Sequence, residues 1–155
     1  MARIDITQSE TAGKFMKRFV TASRALEDGG LAETTQELVK IRASQINGCG
    51  VCLDAHVKDA AAAGETPVRL ALIAAWRDTN VFTDAERAAL ALTEEGTRIA
   101  DRSHPISDAT WAEVTKHYDD DQAAILIGLI AVINTYNRIN VLTGQLGGDY
   151  VPGAW

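Results

Sequence analysis

The amino-acid sequence predicts an all-α protein of about seven helices, folded as one domain over residues 1–155. Three observations carry that expectation. Apolar residues recur at helical spacing rather than in alternation, the breaks between apolar stretches are helix caps, and no Pro/Gly/Ser linker divides the chain. A chain of 155 residues is long enough to bury a substantial core and short for two independent units. A helix-turn-helix in the middle of the chain carries a C-x-x-C motif.

The helices follow in order. Thr7 and Glu10 have capping-box spacing and precede Phe15, Phe19, Ala22 and Leu26, a stripe stopped by Gly29 and Gly30. A second helix, from about Leu31 to Ile46, presents Leu38, Ile41, Ala43 and Ile46 as apolar positions and ends at Asn47-Gly48. A third begins at or just before Cys49 and continues to Ala63, with Gly64 as its stop. Thr66 followed by Pro67 caps a fourth, bearing Leu70, Ile73, Ala74 and Trp76. Thr83 and Glu86 form a capping box for a fifth that extends to about Ala100, and Ser107 caps a sixth over Asp108 to Tyr118. Asp119 and Gln122 open the last helix, which runs to about Leu142; the tail from Gly147 to Trp155 reads as irregular.

Composition excludes several function classes. Hydrophobic residues at 46% and charged residues at 23% describe a soluble globular protein. A net charge of -6 disfavours nucleic acid and anionic membrane surfaces, which call for clustered Lys and Arg. The first residues, MARIDITQSETAGKFMKRF, lack the apolar run of a secretory signal, so a cytoplasmic location is expected. The longest apolar run, Ala123 to Ile133, spans 11 residues, too few for a bilayer, and reads as a buried helix. The last helix is apolar on nearly all faces in its first half and then carries Asn134, Asn137, Arg138 and Asn140. Such a helix must be covered on all sides, either as the central helix of the monomer or by neighbouring subunits of a homo-oligomer.

The chemistry concentrates in ELVKIRASQINGCGVCLDAH, residues 37 to 56, which holds both cysteines of the chain. Cys49 is placed at a helix entrance, where unpaired N–H groups and the positive end of the macrodipole stabilise a thiolate. Cys52 lies within disulfide reach of it. His56 follows Cys52 by one helical turn on the same face, so its imidazole can take up a thiol proton near neutral pH. Glu37, 12 residues before Cys49 on the preceding helix, can return beside the pair to orient His56 or relay its proton. Three readings of the motif stand side by side: a redox pair, a zinc site formed by Cys49, Cys52, His56 and Glu37, and incidental packing. Glu37 taken alone reads as a solvated helix residue, and His56 taken alone as a satisfied histidine. His104 and His117 read as structural, and Trp76, Trp111 and Trp155 as packing residues.

The pattern E-x11-C-x2-C-x3-H on two successive helices resembles the alkylhydroperoxidase AhpD-like branch of the carboxymuconolactone decarboxylase family. Glu37, Cys49, Cys52 and His56 match that motif position by position, and the resemblance extends from about Leu31 to Asn140, through LALIAAWRDTNVFTDAERAALALTE and INTYNRIN. It implies an all-α fold, assembly into trimers or hexamers, and a thiol-dependent peroxidase that needs no further cofactor or metal. In that chemistry Cys52 is oxidised by a small-molecule peroxide, Cys49 resolves it, a dithiol or protein reductant restores the pair, and Glu37 with His56 forms the proton relay. The alternative is a thiol-disulfide oxidoreductase or redox sensor without peroxide turnover. The chain departs from the pattern at Val51, where better-known peroxidase members carry a second histidine. Retention of both sulfurs argues against simple lactone decarboxylation.

Overall fold

In the computed structural model, which describes residues 2–101, 103 and 106–154, the chain forms seven α-helices and no strand among those residues. They are α1 (Glu10–Glu27), α2 (Glu33–Asn47), α3 (Gly50–Ala62), α4 (Pro67–Leu72), α5 (Asp84–Thr97), α6 (Asp108–His117) and α7 (Asp120–Thr143), with short 3-10 turns at Ile6–Gln8, Ile73–Asp78 and Ile99–Asp101. The expected all-α class is therefore what the chain adopts. Most expected caps are in place. The hydroxyls of Thr66, Thr83 and Ser107 and the Asp119 carboxylate each accept a backbone N–H three residues on, and Glu86 and Gln122 close capping boxes.

The first cap differs from expectation. Ser9, not Thr7, caps α1, because the Asp5 carboxylate takes both the N–H and the hydroxyl of Thr7 at 2.9 and 2.6 Å and draws Thr7 into the preceding 3-10 turn. The helix α2 begins at Glu33 without a side-chain cap. Its entry is held instead by Gln36, whose amide donates to the carbonyls of Leu31 and Glu27. The fourth helix is shorter than its periodicity predicts. It ends at Leu72, and Ile73 and Trp76 reach the core from a 3-10 segment broken at Ala75.

The centre of the molecule is α2, which packs against α3, α5 and α7. Seven consecutive residues, Thr35 to Ile41, are buried, so this helix has no solvated face along that stretch. The first helix lies outside. Phe15 and Ala22 of its expected core stripe are exposed, Ser23 is its buried residue, and Phe19 stacks with Phe15 and meets Tyr136 of α7.

Helix α7 is long and apolar enough to cross a membrane by length and composition alone. In the fold it turns one face inward, where Ile125, Leu126, Leu129, Ile130 and Ile133 are buried. Its other face stays open at Ala124, Ile127 and Ala131. It is thus not the enclosed central helix; that place is taken by α2.

Candidate functional site

The site is built by the turn between α2 and α3. Gly48 ends α2 in the left-handed region, φ 67°, a conformation that favours glycine, and the reversal makes Cys49 the N-cap of α3. The Cys49 sulfur accepts the Cys52 backbone N–H at 3.4 Å, so a thiol occupies the position that Ser or Asp fills in other caps. Cys49 and Cys52 are joined as a disulfide with their Cα atoms 5.4 Å apart. Ala43 of α2 and Ile133 of α7 pack on the pair, with Val51 beside them. Both cysteines are enclosed, at 1% and 2% exposure.

Glu37 and His56 come together as expected. The Nδ1 atom of His56 lies 3.0 Å from Glu37 Oε2. An ionised carboxylate only accepts, so Nδ1 carries the proton of this bond and Nε2 remains as the ring's other nitrogen. The second carboxylate oxygen accepts from Lys40 Nζ at 2.9 Å, and the same ammonium reaches Glu27 Oε1 at 3.1 Å. Burial alone would raise the Glu37 carboxyl; the bond and charge of His56, together with Lys40, outweigh it and hold the group below the ordinary carboxylate range. Lys40 is desolvated too, yet Glu37 and Glu27 keep its ammonium above its ordinary value. The reading of Glu37 as a solvated helix residue is therefore excluded, since it is buried and doubly bonded. Among the described residues His56 makes no hydrogen bond to Cys52, which lies one turn before it on α3. Nor do three or more His, Cys, Asp or Glu side chains gather there as a metal site.

Sequence reasoning did not assign Lys40 or Asn140 to the site. Asn140 Nδ2 donates to the Cys52 sulfur at 3.4 Å across 88 residues of chain. Beside it runs a buried amide ladder. Asn47 Nδ2 donates to Asn134 Oδ1 and Asn137 Oδ1, both at 2.9 Å, and Asn137 donates to the Ser44 hydroxyl at 3.0 Å. The unusual polar run at the end of α7 was the available signal, and these contacts fix α7 against the end of α2.

The irregular tail is also tied to the site helix. The Asp54 carboxylate accepts the N–H groups of Gly148 and Tyr150, Lys58 donates to the carbonyls of the same two residues, and the Tyr150 hydroxyl meets Asp59. Lys58 and these two N–H groups bring the Asp54 carboxyl down to about 2. Gly147 rests on the Gly50 carbonyl, where a Cβ would fall at 2.5 Å.

The remaining candidates stand apart. Trp76 is buried and donates to Glu94, as a packing residue. Trp111 is 42% exposed and lines an open groove of about 820 Å³ between α5, α6 and α7, so it does not pack in the core. His117 ends α6 with its Nε2 3.7 Å from Glu113. His104 and Trp155 lie outside the described residues.

Comparison with known proteins agrees with this geometry. The carboxymuconolactone decarboxylase family profile matches residues 11–95. The uncharacterized protein YdfG of Bacillus subtilis (strain 168) is 36% identical over 140 residues, covering 90% of this chain and 94% of that protein. Among solved structures, an Agrobacterium tumefaciens protein of unknown function, described as a candidate antioxidant defence protein AhpD, superposes with a TM-score of 0.89 at 29% identity, covering 97% of this chain and all of that one. The debrominase Bmp8 shares the fold, with a TM-score of 0.78 at 14% identity over 93% of this chain and 75% of its own.

Proposed function

Because this chain belongs to the carboxymuconolactone decarboxylase family and retains the two sulfurs of its AhpD-like members, we propose that it is a thiol-dependent alkyl hydroperoxide reductase with an antioxidant role in the cytoplasm. The observation that carries this reading is the joining of Cys49 and Cys52 at the entrance of α3, one turn from a histidine bonded to a buried carboxylate. Their burial favours a small substrate over another protein's disulfide, because a peroxide can reach an enclosed sulfur that a folded protein surface cannot. The candidate defence role of the Agrobacterium relative points in the same direction.

In the proposed cycle the Cys52 thiolate attacks the nearer peroxide oxygen. An S–O bond forms, the O–O bond breaks, and the leaving alkoxide takes a proton to depart as alcohol; His56, oriented by Glu37, manages that proton. Cys49 then attacks the sulfenic sulfur, forming the S–S bond and releasing water. An external dithiol returns two electrons by exchange and becomes a disulfide itself. No metal or organic cofactor is required. Val51 replaces the second histidine of better-known peroxidases, which favours as second reading a thiol-disulfide oxidoreductase or redox sensor without peroxide turnover.

We also place neighbouring copies of the chain, as a trimer or hexamer, on the open face of α7, where Ile127 is half exposed and adjoins the groove beside Trp111. Sedimentation at micromolar concentration should show an oligomer, and a monomer would remove this assembly.

Stopped-flow mixing of the reduced protein with hydrogen peroxide and with an organic hydroperoxide tests the enzyme reading. A fast sulfenate burst is expected in the wild type and none in Cys52→Ser. A burst that survives the substitution removes Cys52 from its role. A wild type with a reversible Cys49–Cys52 couple but no burst selects the second reading.

A further inference from the structure

We propose that Asn140 is a catalytic residue of the thiol chemistry, its side-chain amide donating a hydrogen bond that holds the Cys52 sulfur as a thiolate. The proposal rests on Cys52 being the reactive sulfur, and it concerns a contact that the α3 motif does not contain.

Cys52 is enclosed, and burial disfavours a charged sulfur. A thiolate at that position therefore needs a fixed donor in place of water. The two sulfurs are served differently. Cys49 receives the backbone N–H of Cys52, while Cys52 receives the Asn140 Nδ2 at 3.4 Å. Other groups with suitable protons are engaged elsewhere: His56 with Glu37, Lys40 with Glu37 and Glu27, Lys58 with Asp54 and the tail, and Arg138 with Asn134. The side chain of Val51, the neighbour of Cys52, has no hydrogen-bond donor. Asn140 is the side chain among the described residues that donates to the Cys52 sulfur.

An amide N–H favours an anionic acceptor over a neutral one, because charge-assisted hydrogen bonds are the stronger kind. The same helix supplies the rigidity. Asn137 and Asn134, about one and two turns earlier, lock α7 to the end of α2, so Asn140 is held at a fixed distance from the turn that carries the cysteines. Reduction of the disulfide by dithiothreitol adds two electrons and one proton, leaves one thiol and one thiolate, and converts the reductant to its own cyclic disulfide. The Asn140 donor then faces a sulfur richer in electrons than the one it touches in the oxidised form.

The test is the pH profile of Cys52 alkylation by iodoacetamide in the dithiothreitol-reduced, desalted full chain, with the modified cysteine identified by peptide mass spectrometry. Asn140→Ala should move the Cys52 midpoint up by about one pH unit, the scale of one lost charge-assisted bond. Asn140→Asp, nearly the same shape but an acceptor with negative charge, should move it further. Asn140→Ser, which restores a donor, should recover part of the shift. Wild-type midpoints in both the alanine and aspartate variants would overturn the proposal. Should the alanine variant not fold, Asn140→Leu, near-isosteric, neutral and without a donor, takes its place, and a wild-type midpoint there overturns the proposal. The outcome is independent of peroxide turnover: a shifted midpoint without any peroxide burst sinks the peroxidase reading and leaves the Asn140 contact standing, and an unshifted midpoint with a normal burst does the reverse.

Discussion

Two buried carboxylates, Glu37 and Glu94, sit at 8% and 9% exposure and differ in what surrounds them. Glu94, on α5, accepts from Arg42 at 2.6 and 2.9 Å, from the Trp76 indole N–H at 3.0 Å and from Arg77 at 3.0 Å. Glu37, on α2, accepts from Lys40 and meets His56. Burial pushes both carboxyls up, and in both the partners win and hold them below the usual range. The partners of Glu94 have no proton to release under ordinary conditions, since a guanidinium stays charged and an indole stays neutral. The imidazole partner of Glu37 has two ring nitrogens, one bonded to the carboxylate and the other able to accept or give a proton. A carboxylate saturated by fixed donors fastens helices together; one that faces a histidine can take part in proton transfer.

The largest expected effect breaks the fastening side. Glu94→Ala leaves the Arg42 guanidinium and the Trp76 N–H without their partner inside the packing of α2 against α5, and removing one member of a buried ion pair costs about 3 kcal/mol. For a chain of this length the thermal midpoint should fall by roughly 10 °C, read by circular dichroism. Cys52 alkylation per folded molecule should stay at the wild-type rate. A loss of thiol reactivity in folded protein would show that the two carboxylates are not separable as drawn.

Glu37→Gln sharpens the other side. It keeps the shape and a hydrogen bond to Lys40 but removes the charge that fixes the His56 proton on Nδ1. Peroxide-dependent oxidation of the reduced enzyme should slow by about 100-fold, the usual scale of a misdirected general base. Stopped-flow rates measure it directly, with stability falling less than in the Glu94 variant. A rate within twofold of wild type would make Glu37 a second fastening residue.

The difference between the two carboxylates was only partly legible in the sequence. Local chemistry reads well: Thr83 with Glu86 and Asp119 with Gln122 declare their helices because each cap involves residues three apart. The grouping of Cys49, Cys52 and His56 follows from helical register for the same reason. Glu37 is found because a single turn separates its helix from the cysteines. Lys40, although close in sequence, carries no motif signal, and only tertiary packing, which buries its helix on all sides, brings it to the site. The contacts from Asn140 to Cys52 and from Arg42 to Glu94 span 88 and 52 residues, and no spacing rule reaches across such distances. Asp5 drawing Thr7 into the preceding 3-10 turn, which leaves the cap of α1 to Ser9, shows the limit on the short scale as well, where several side chains close in sequence can serve as local caps. The docking of the tail on Asp54 and Asp59 of α3 has no periodic signature at all.

The smallest effect concerns acid stability. Both carboxyls have folded values below their ordinary 4.5, so each contributes stability that is fully present above that pH and is lost as pH falls through the folded value. Urea unfolding of the wild type should therefore weaken progressively below about pH 4.5. Glu37→Gln has no proton to take up at that position, so its stability should decline less steeply over the same acid range while starting lower at neutral pH. Glu94→Gln should behave alike, because the linkage depends on the shift and not on what the partner can do with a proton. The two glutamine variants are thus expected to converge in acid stability and diverge in thiol reactivity, with only Glu37→Gln slow toward peroxide. An acid slope unchanged from wild type in either variant would mean that its carboxylate is not held below its ordinary range by the partners seen here.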